Sequence, residues 1–372
     1  MNVRNIVAWA IAGLMLPGLC AAQIRIGQTA GFTGAAAAGV REITDGAKLY
    51  LDSVNAEGGI GGQTIELVSL DDKFDPALAA ENAKKLIADP RVVALFLNRG
   101  TPHTQAIMPL LTEHRITLIA PSTGAMVLHS PVHPWLFNVR STYQRETEHI
   151  TRHLAMSGGP ERVALIQVND TFGTDAAVGA LKVFKELGKQ PATHQIFDRT
   201  KPDFDTLVPK VMASQPLTIL FIGTGTAVID GVKALRAAGS KATIATLSPN
   251  ASAGFIKSMG ENAQGLIISQ VFPSARSLKV AMAAEASRLA QAKNLPELTP
   301  QMIEGFAAAK VLVAALRRTG GKDITRSSIK KALESFNRVD IGGLEVSFSP
   351  TDHTGLDYAD LSIVAADGSF RR

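Results

Sequence analysis

Cysteine is almost absent: the only one in 372 residues is Cys20, inside an N-terminal stretch that reads as a leader. Removal of that leader leaves a chain without thiols, which excludes disulfides and thiolate metal sites as sources of stability. Stability then rests on hydrophobic cores. About 350 residues can build two of them, because single cores stop growing near 250–300 residues. Long apolar runs are also missing after the leader, and none approaches the 18 residues of a spanning helix. Charge of one sign is not concentrated either. The net charge is +5, and the longest basic clusters are pairs such as Lys84-Lys85 and Arg317-Arg318. A nucleic-acid binder gathers Lys and Arg on one face with aromatics between them, so that class is excluded.

The leader has a basic residue, Arg4, and an apolar stretch from Ile6 to Leu19. Pro17-Gly18 breaks it before Cys20-Ala21-Ala22, and cleavage after Ala22 fits the small-x-small pattern of a secretory signal. The competing reading lipidates Cys20, but Leu19 stands where that motif takes a small residue. Residues 1–22 are thus expected to direct the chain to the periplasm.

From Gln23 onward, β-branched runs alternate with amphipathic segments. Strands are expected at 24–27, 64–70, 92–97 and 116–120, with helices at 45–56, 76–87 and 104–114 between them. Asp75-Pro76 supplies an N-cap followed by proline at the first helical position. A second series runs through strands 163–168, 192–197, 218–222 and 243–247 and helices 174–187, 204–213 and 228–238. Two such sets predict an α/β chain with two doubly wound parallel-sheet lobes. A third block holds helices at 277–293 and 300–318 and a strand-rich end at 344–370, whose packing periodicity leaves open.

Ligands of open α/β sheets bind beyond the carboxyl ends of the strands. Those positions carry Asn98-Arg99-Gly100-Thr101, Pro121-Ser122-Thr123-Gly124, Asn169-Asp170-Thr171-Phe172 and Gly223-Thr224-Gly225-Thr226. Hydroxyls and free N–H groups at helix starts suit an anion, and a carboxylate is the ligand they suggest. Each residue taken singly reads better as a helix cap; their recurrence after four strands, in both halves, is what points to a shared cleft.

No catalytic centre assembles. Gly223-Thr224-Gly225 begins like a dinucleotide fingerprint, yet Val228 stands at the third glycine and Ser248 where an acidic residue would follow. His149 and His153 share a helix face without an HExxH motif. Ser327-Ser328-Ile329-Lys330 matches SxxK without its partner motifs, and Ser327 reads as a helix cap. Asp71-Asp72 would point to opposite faces of a strand. No cofactor, metal or enzymatic activity is expected.

The run Asp45-Gly46-Ala47-Lys48, then Asn55-Ala56-Glu57-Gly58-Gly59-Ile60-Gly61-Gly62, then Leu70-Asp71-Asp72-Lys73-Phe74-Asp75-Pro76 resembles the leucine/isoleucine/valine-binding protein family. Ala120-Pro121-Ser122-Thr123, Asn169-Asp170-Thr171-Phe172-Gly173 and Leu235-Arg236-Ala237-Ala238-Gly239 extend the resemblance over nearly the whole mature chain. It implies a type I periplasmic binding fold, with lobe one at 24–141 plus 272–345 and lobe two at 142–271 plus 346–372. The three crossings would fall near Arg140–Ser141, Val271 and Val346. It further implies a monomeric receptor that hands a small amino acid or related carboxylate to an ABC transporter permease; a sensory receptor of the same fold is the alternative.

Carried over residue by residue, the resemblance points to Thr101, Ser122, Thr123, Gly124, Phe172, Thr224, Ser248 and Asn250 as ligand-binding positions. Gly124 replaces a hydroxyl usual in the family. Phe74 and Gly100 stand at the family's two disulfide positions, in keeping with a chain that has no cysteine after the leader. At Leu247-Ser248-Pro249-Asn250 the acidic residue that usually pairs with the ligand ammonium is missing. A buried ammonium without an anion costs several kcal/mol, so a carboxylate without an amine, or a small amide, fits better unless Asp170 or Asp198 supplies the charge.

Overall fold

The structure, a computed structural model, describes residues 23–372 apart from 278, 296 and 322; the expected leader lies outside the described residues. The first half runs β1 (Gln23–Ala30), α1 (Ala37–Ala56), β2 (Thr64–Asp71), α2 (Pro76–Ala88) and β3 (Val92–Phe96). It continues through α3 (Thr101–Glu113), β4 (Thr117–Ile119) and β5 (Leu136–Phe137). These strands pair in parallel in the order β2-β1-β3-β4-β5.

The second half runs α4 (Tyr143–Gly158), β6 (Val163–Val168), α5 (Thr171–Glu186), β7 (Thr193–Phe197) and α6 (Phe204–Ala213). Then come β8 (Thr218–Ile222), α7 (Thr226–Ala237), β9 (Thr243–Thr246), α8 (Ala253–Met259) and β10 (Ile267–Gln270). The third block supplies α9 (Ala281–Ala292), α10 (Pro300–Arg318), α11 (Arg326–Glu334), the ribbon β11 (Val339–Asp340) and β12 (Glu345–Val346), then β13 (Asp360–Val364) and β14 (Phe370–Arg371). The second sheet has the order β14-β13-β10-β9-β8-β6-β7, with only β13 and β14 antiparallel to their neighbours.

Local chemistry accounts for the elements that position the cleft. All six residues of β6 are buried, as a strand covered on both faces of a parallel sheet requires. Asp75 caps α2 by accepting from the N–H groups of Ala77 and Leu78 at 2.7 and 3.2 Å. On α1 and α10, Gly46 and Gly305 sit where a Cβ would lie 2.0 Å from Met302 O and 1.8 Å from Ile43 O. Glycine there lets the two helices pack backbone to backbone, fastening the third block to lobe one.

Each lobe has its own core. Ile26, Phe96, Phe137, Phe306 and Leu312 belong to the first, and Leu165, Phe184, Phe221 and Ile268 to the second. A further cluster under α2 and α3 covers the other face of the first sheet. Val271 and Phe272 already belong to the first core.

Three details differ from the sequence reading. Helix α1 opens at Ala37 rather than at residue 45, because the alanine-rich start has no apolar–polar contrast to reveal its period. The N-cap of α11 is Thr325, which forms a capping box with Ser328, so Ser327 lies inside the helix. The third crossing was expected near Val346, but Val346, Phe348 and Leu356 pack in the first core, and Gly355 and Leu356 hydrogen-bond to Asn138 and Val139. We place that crossing between Leu356 and Asp360, where β13 joins the second sheet.

Candidate functional site

The strand ends of both lobes face each other across a cleft. From lobe one come the residues after β3 and β4; from lobe two come those after β6, β7, β8 and β9. A narrow cavity of about 10 Å³ lies between them, and Thr101, Ser122, Tyr143, Phe172, Arg99 and Arg199 are among its walls. A second cavity, about 180 Å³, adjoins it and shares Arg99, Thr224 and Pro249 with it.

Arg99 stands at the end of β3 and is 4% exposed. Its Nη1 donates to Gln301 Oε1 and its Nη2 to the carbonyl of Pro249, both at 2.7 Å. No carboxylate lies within ion-pair distance of it among the described residues, although the more distant Glu304 opposes the effect of burial, which lowers its pKa. Guanidinium remains charged under all ordinary conditions. Arg199, just after β7, pairs with Asp170 and donates to Thr224 Oγ1 at 2.8 Å. Its guanidinium lies 5.6 Å from the centre of the Phe74 ring, so it reaches from lobe two to lobe one. His103 stacks on Phe74 at 4.4 Å, and burial lowers its pKa to about 4, which keeps it neutral.

Behind the cavity lies a buried polar cluster at the first crossing. Arg140 pairs with Glu146, and Glu304 is 3.8 Å away. Burial opposes the Arg140 charge, but the attraction of both carboxylates outweighs it and raises its pKa. Burial raises the Glu146 pKa, and Arg140 together with the hydrogen bonds from Ser269 Oγ–H and Ser248 N–H offsets part of that rise. Arg140 lies 4.7 Å from the centre of the Tyr143 ring, and Tyr143 meets Phe172 edge to face at 4.7 Å.

Of the residues singled out from the sequence, Thr101, Ser122, Phe172 and Thr224 line the smaller cavity. Thr123 stands behind it, with its hydroxyl 2.7 Å from that of Thr101. Gly124 is packed against the crossing, where its carbonyl accepts from Tyr143 N–H at 2.8 Å and a Cβ would lie 2.4 Å from Ser141 O. Ser248 is spent on Arg140 and Glu146, and Asn250 braces the β8–α7 loop through Gly225 N–H and the Gly223 carbonyl. Asn250 does line the larger cavity.

Arg99, Tyr143 and Arg199 were not among the chosen residues. Arg99 and Arg199 both sit at strand ends, and the rule that found the hydroxyls also covers them. Asp71 and Asp72 are both committed locally: Asp71 holds Thr33 and Lys73, while buried Asp72 accepts from Phe74 N–H and Thr29 Oγ–H. A third cavity, about 180 Å³, lies beside the end of β10 at Gln270, and its Arg276 and Arg372 are already paired with Glu297 and Asp360. Among the described residues no group of three or more His, Cys, Asp or Glu is placed to hold a metal ion. No described helix is long and apolar enough to cross a membrane.

Known proteins share this architecture. The family model described as periplasmic binding protein matches residues 23–368. The Leu/Ile/Val-binding protein homolog 3 of Brucella melitensis is 23% identical over 94% of both chains. A Leu/Ile/Val-binding protein of Rhizobium johnstonii is 25% identical over 87% of both. A substrate-binding periplasmic protein from Ralstonia solanacearum superposes with a TM-score of 0.85 at 28% identity, covering 93% of this chain and 99% of that one. A branched-chain amino acid ABC transporter protein of Thermus thermophilus, solved with bound valine, shares the fold at a TM-score of 0.80 and 19% identity, with 94% and 95% covered.

Proposed function

This chain belongs to the periplasmic binding protein family, in its Leu/Ile/Val-binding branch, and from that premise we propose that it is the periplasmic receptor of an ABC importer for a small organic carboxylate. The two lobes close over the ligand, and the importer recognises the closed state, stabilised by contacts the ligand makes with both lobes at once. The receptor binds and releases its ligand without chemical change.

One observation carries the carboxylate. The smaller cavity is lined by two guanidinium groups and the hydroxyls of Thr101, Ser122, Tyr143 and Thr224, and among the described residues no acidic side chain lines it. Charge-assisted hydrogen bonds from guanidinium to carboxylate are about twice as strong as neutral ones and can be bidentate. An amino acid would set its ammonium beside Arg99 and Arg199, with the nearest carboxylate, Asp170, already taken. The desolvation of that ammonium would cost several kcal/mol.

A thermal-shift panel of monocarboxylates, their amides and leucine tests this reading. A carboxylate at a hundredfold excess over Kd should raise Tm by roughly 5 °C. Leucine and the amides should not, and Arg99→Met should abolish the shift. Stabilisation by leucine that disappears in Asp170→Ala would overturn the reading.

A further inference from the structure

The larger cavity beside Arg99 gives the ligand a shape. We infer that the alanine-lined chamber between α1 and α7–α8 receives a bulky apolar body attached to the carboxylate, a proposal that rests on the carboxylate reading above. The lobe-one wall is the turn and first residues of α1, where Ala35, Ala36 and Ala38 line it between Gly34 and Gly39. Lobe two contributes Ile229 and Phe255.

Polar residues also line the chamber, but their hydrogen bonds are turned away from it. Asn250 gives its amide to the Gly223 carbonyl and Thr246 Oγ1 and accepts from Gly225 N–H. Ser252 caps α8 through Phe255 N–H, Ser258 donates to the Gly254 carbonyl, and Thr224 accepts from Arg199. Arg99 is the only charged residue of the wall among the described residues. A guest in this chamber therefore finds a single cationic handle, the uncapped first turns of α1 and α7, and carbon surface from the alanines, Ile229 and Phe255. That is the environment of an apolar group carrying one anionic end.

The smaller cavity, at about 10 Å³, and the larger, at about 180 Å³, meet at the Arg99–Pro249 hydrogen bond. A carboxylate on the remaining N–H groups of the Arg99 guanidinium leaves the bond to Pro249 in place and sets the alanine face against the body behind it. The rim is sealed where the lobes touch: a Cβ on Gly225 would lie 1.9 Å from Ala35 O, and one on Gly254 would lie 2.6 Å from Ala38 Cβ. Small residues on both sides thus set the size of the chamber in the closed state.

The test is calorimetric titration of residues 23–372 with propionate, hexanoate and 3-phenylpropionate. Burial of the phenyl group should make 3-phenylpropionate bind at least about tenfold more tightly than propionate. Ile229→Trp, which fills the chamber, should bring that ratio near one while propionate affinity stays within about threefold of wild type. Thr226→Trp repeats the test from an exposed rim position should Ile229→Trp fail to fold. Equal affinity of the wild type for all three acids would overturn the chamber while leaving the carboxylate reading standing. Binding of none of them would remove both.

Discussion

Arg99 Nη2 donates to the carbonyl of Pro249 at 2.7 Å, joining the end of β3 in one lobe to the segment after β9 in the other. Gln301 doubles the joint, accepting from Arg99 and donating to the Ser248 carbonyl at 2.7 Å. The residue that offers its charge to the ligand is therefore also part of the seam between the lobes. Ligand binding and closure are coupled through one guanidinium.

A second seam lies at the rim. Glu42 on α1 accepts from the N–H groups of Ala253 and Gly254, both at 3.0 Å, and so caps α8 from the opposite lobe. Glu42→Ala should weaken binding of 3-phenylpropionate about three- to tenfold, the value of one such cap. Titration calorimetry reads it, and unchanged affinity would show that the seam does not contribute to closure.

Gly225 has φ +57° as well as its close approach to Ala35. Gly225→Ala should lower the stability of the free protein by about 1 kcal/mol, the usual cost of a side chain in that conformation. It should lower ligand affinity at least 100-fold by holding the lobes apart. Small-angle scattering with saturating ligand should then show no compaction.

The Arg140–Glu146 pair is fully buried at the crossing. Arg140→Met leaves Glu146 without its counter-charge and should destabilise the protein by about 3–5 kcal/mol. Adding Glu146→Leu should recover part of that loss. Chemical denaturation of the two single variants and the double variant measures the coupling.

Buried titratable groups make stability depend on pH in opposing senses. Burial raises the Asp72 pKa from 3.8 to about 6, so between those values the folded state holds a proton that the unfolded chain has released. This group makes stability fall as pH rises through that window. Burial lowers His103 and His129 from 6.5 to about 4, with Arg140 adding to the effect on His129. There the unfolded chain takes a proton the folded state refuses, and stability falls as pH drops from 6.5 towards 4. Asp72→Asn should therefore steepen the rise of stability from pH 4 to 6, and His129→Gln should flatten it, each by at most about 1.4 kcal/mol per pH unit. Denaturant midpoints at about pH 4.5, 5.5 and 6.5 provide the comparison.

Strands β6 and β8 and helices α6 and α10 have the bounds their residue pattern predicts, because each is a clean apolar or amphipathic run. The hydroxyls at Thr101, Ser122 and Thr224 were legible from the strand-end rule alone. Arg99 was not selected because its meaning depends on distance in sequence: its partners Gln301 and Pro249 are 202 and 150 positions away. Nothing near residue 99 reveals that its charge is buried. Ser248 shows the converse, since its place in the chain suggests ligand contact while the fold commits it to Arg140 and Glu146; Asn250 braces Gly225 and still lines the larger cavity.

The most direct test of the account is a crystal structure of residues 23–372 with 3-phenylpropionate bound. The account predicts both carboxylate oxygens within about 3 Å of the Arg99 guanidinium and the ring against Ala35–Ala38 and Ile229. A ligand carboxylate placed away from Arg99, or a co-purified amino acid with its ammonium on Asp170, would contradict it.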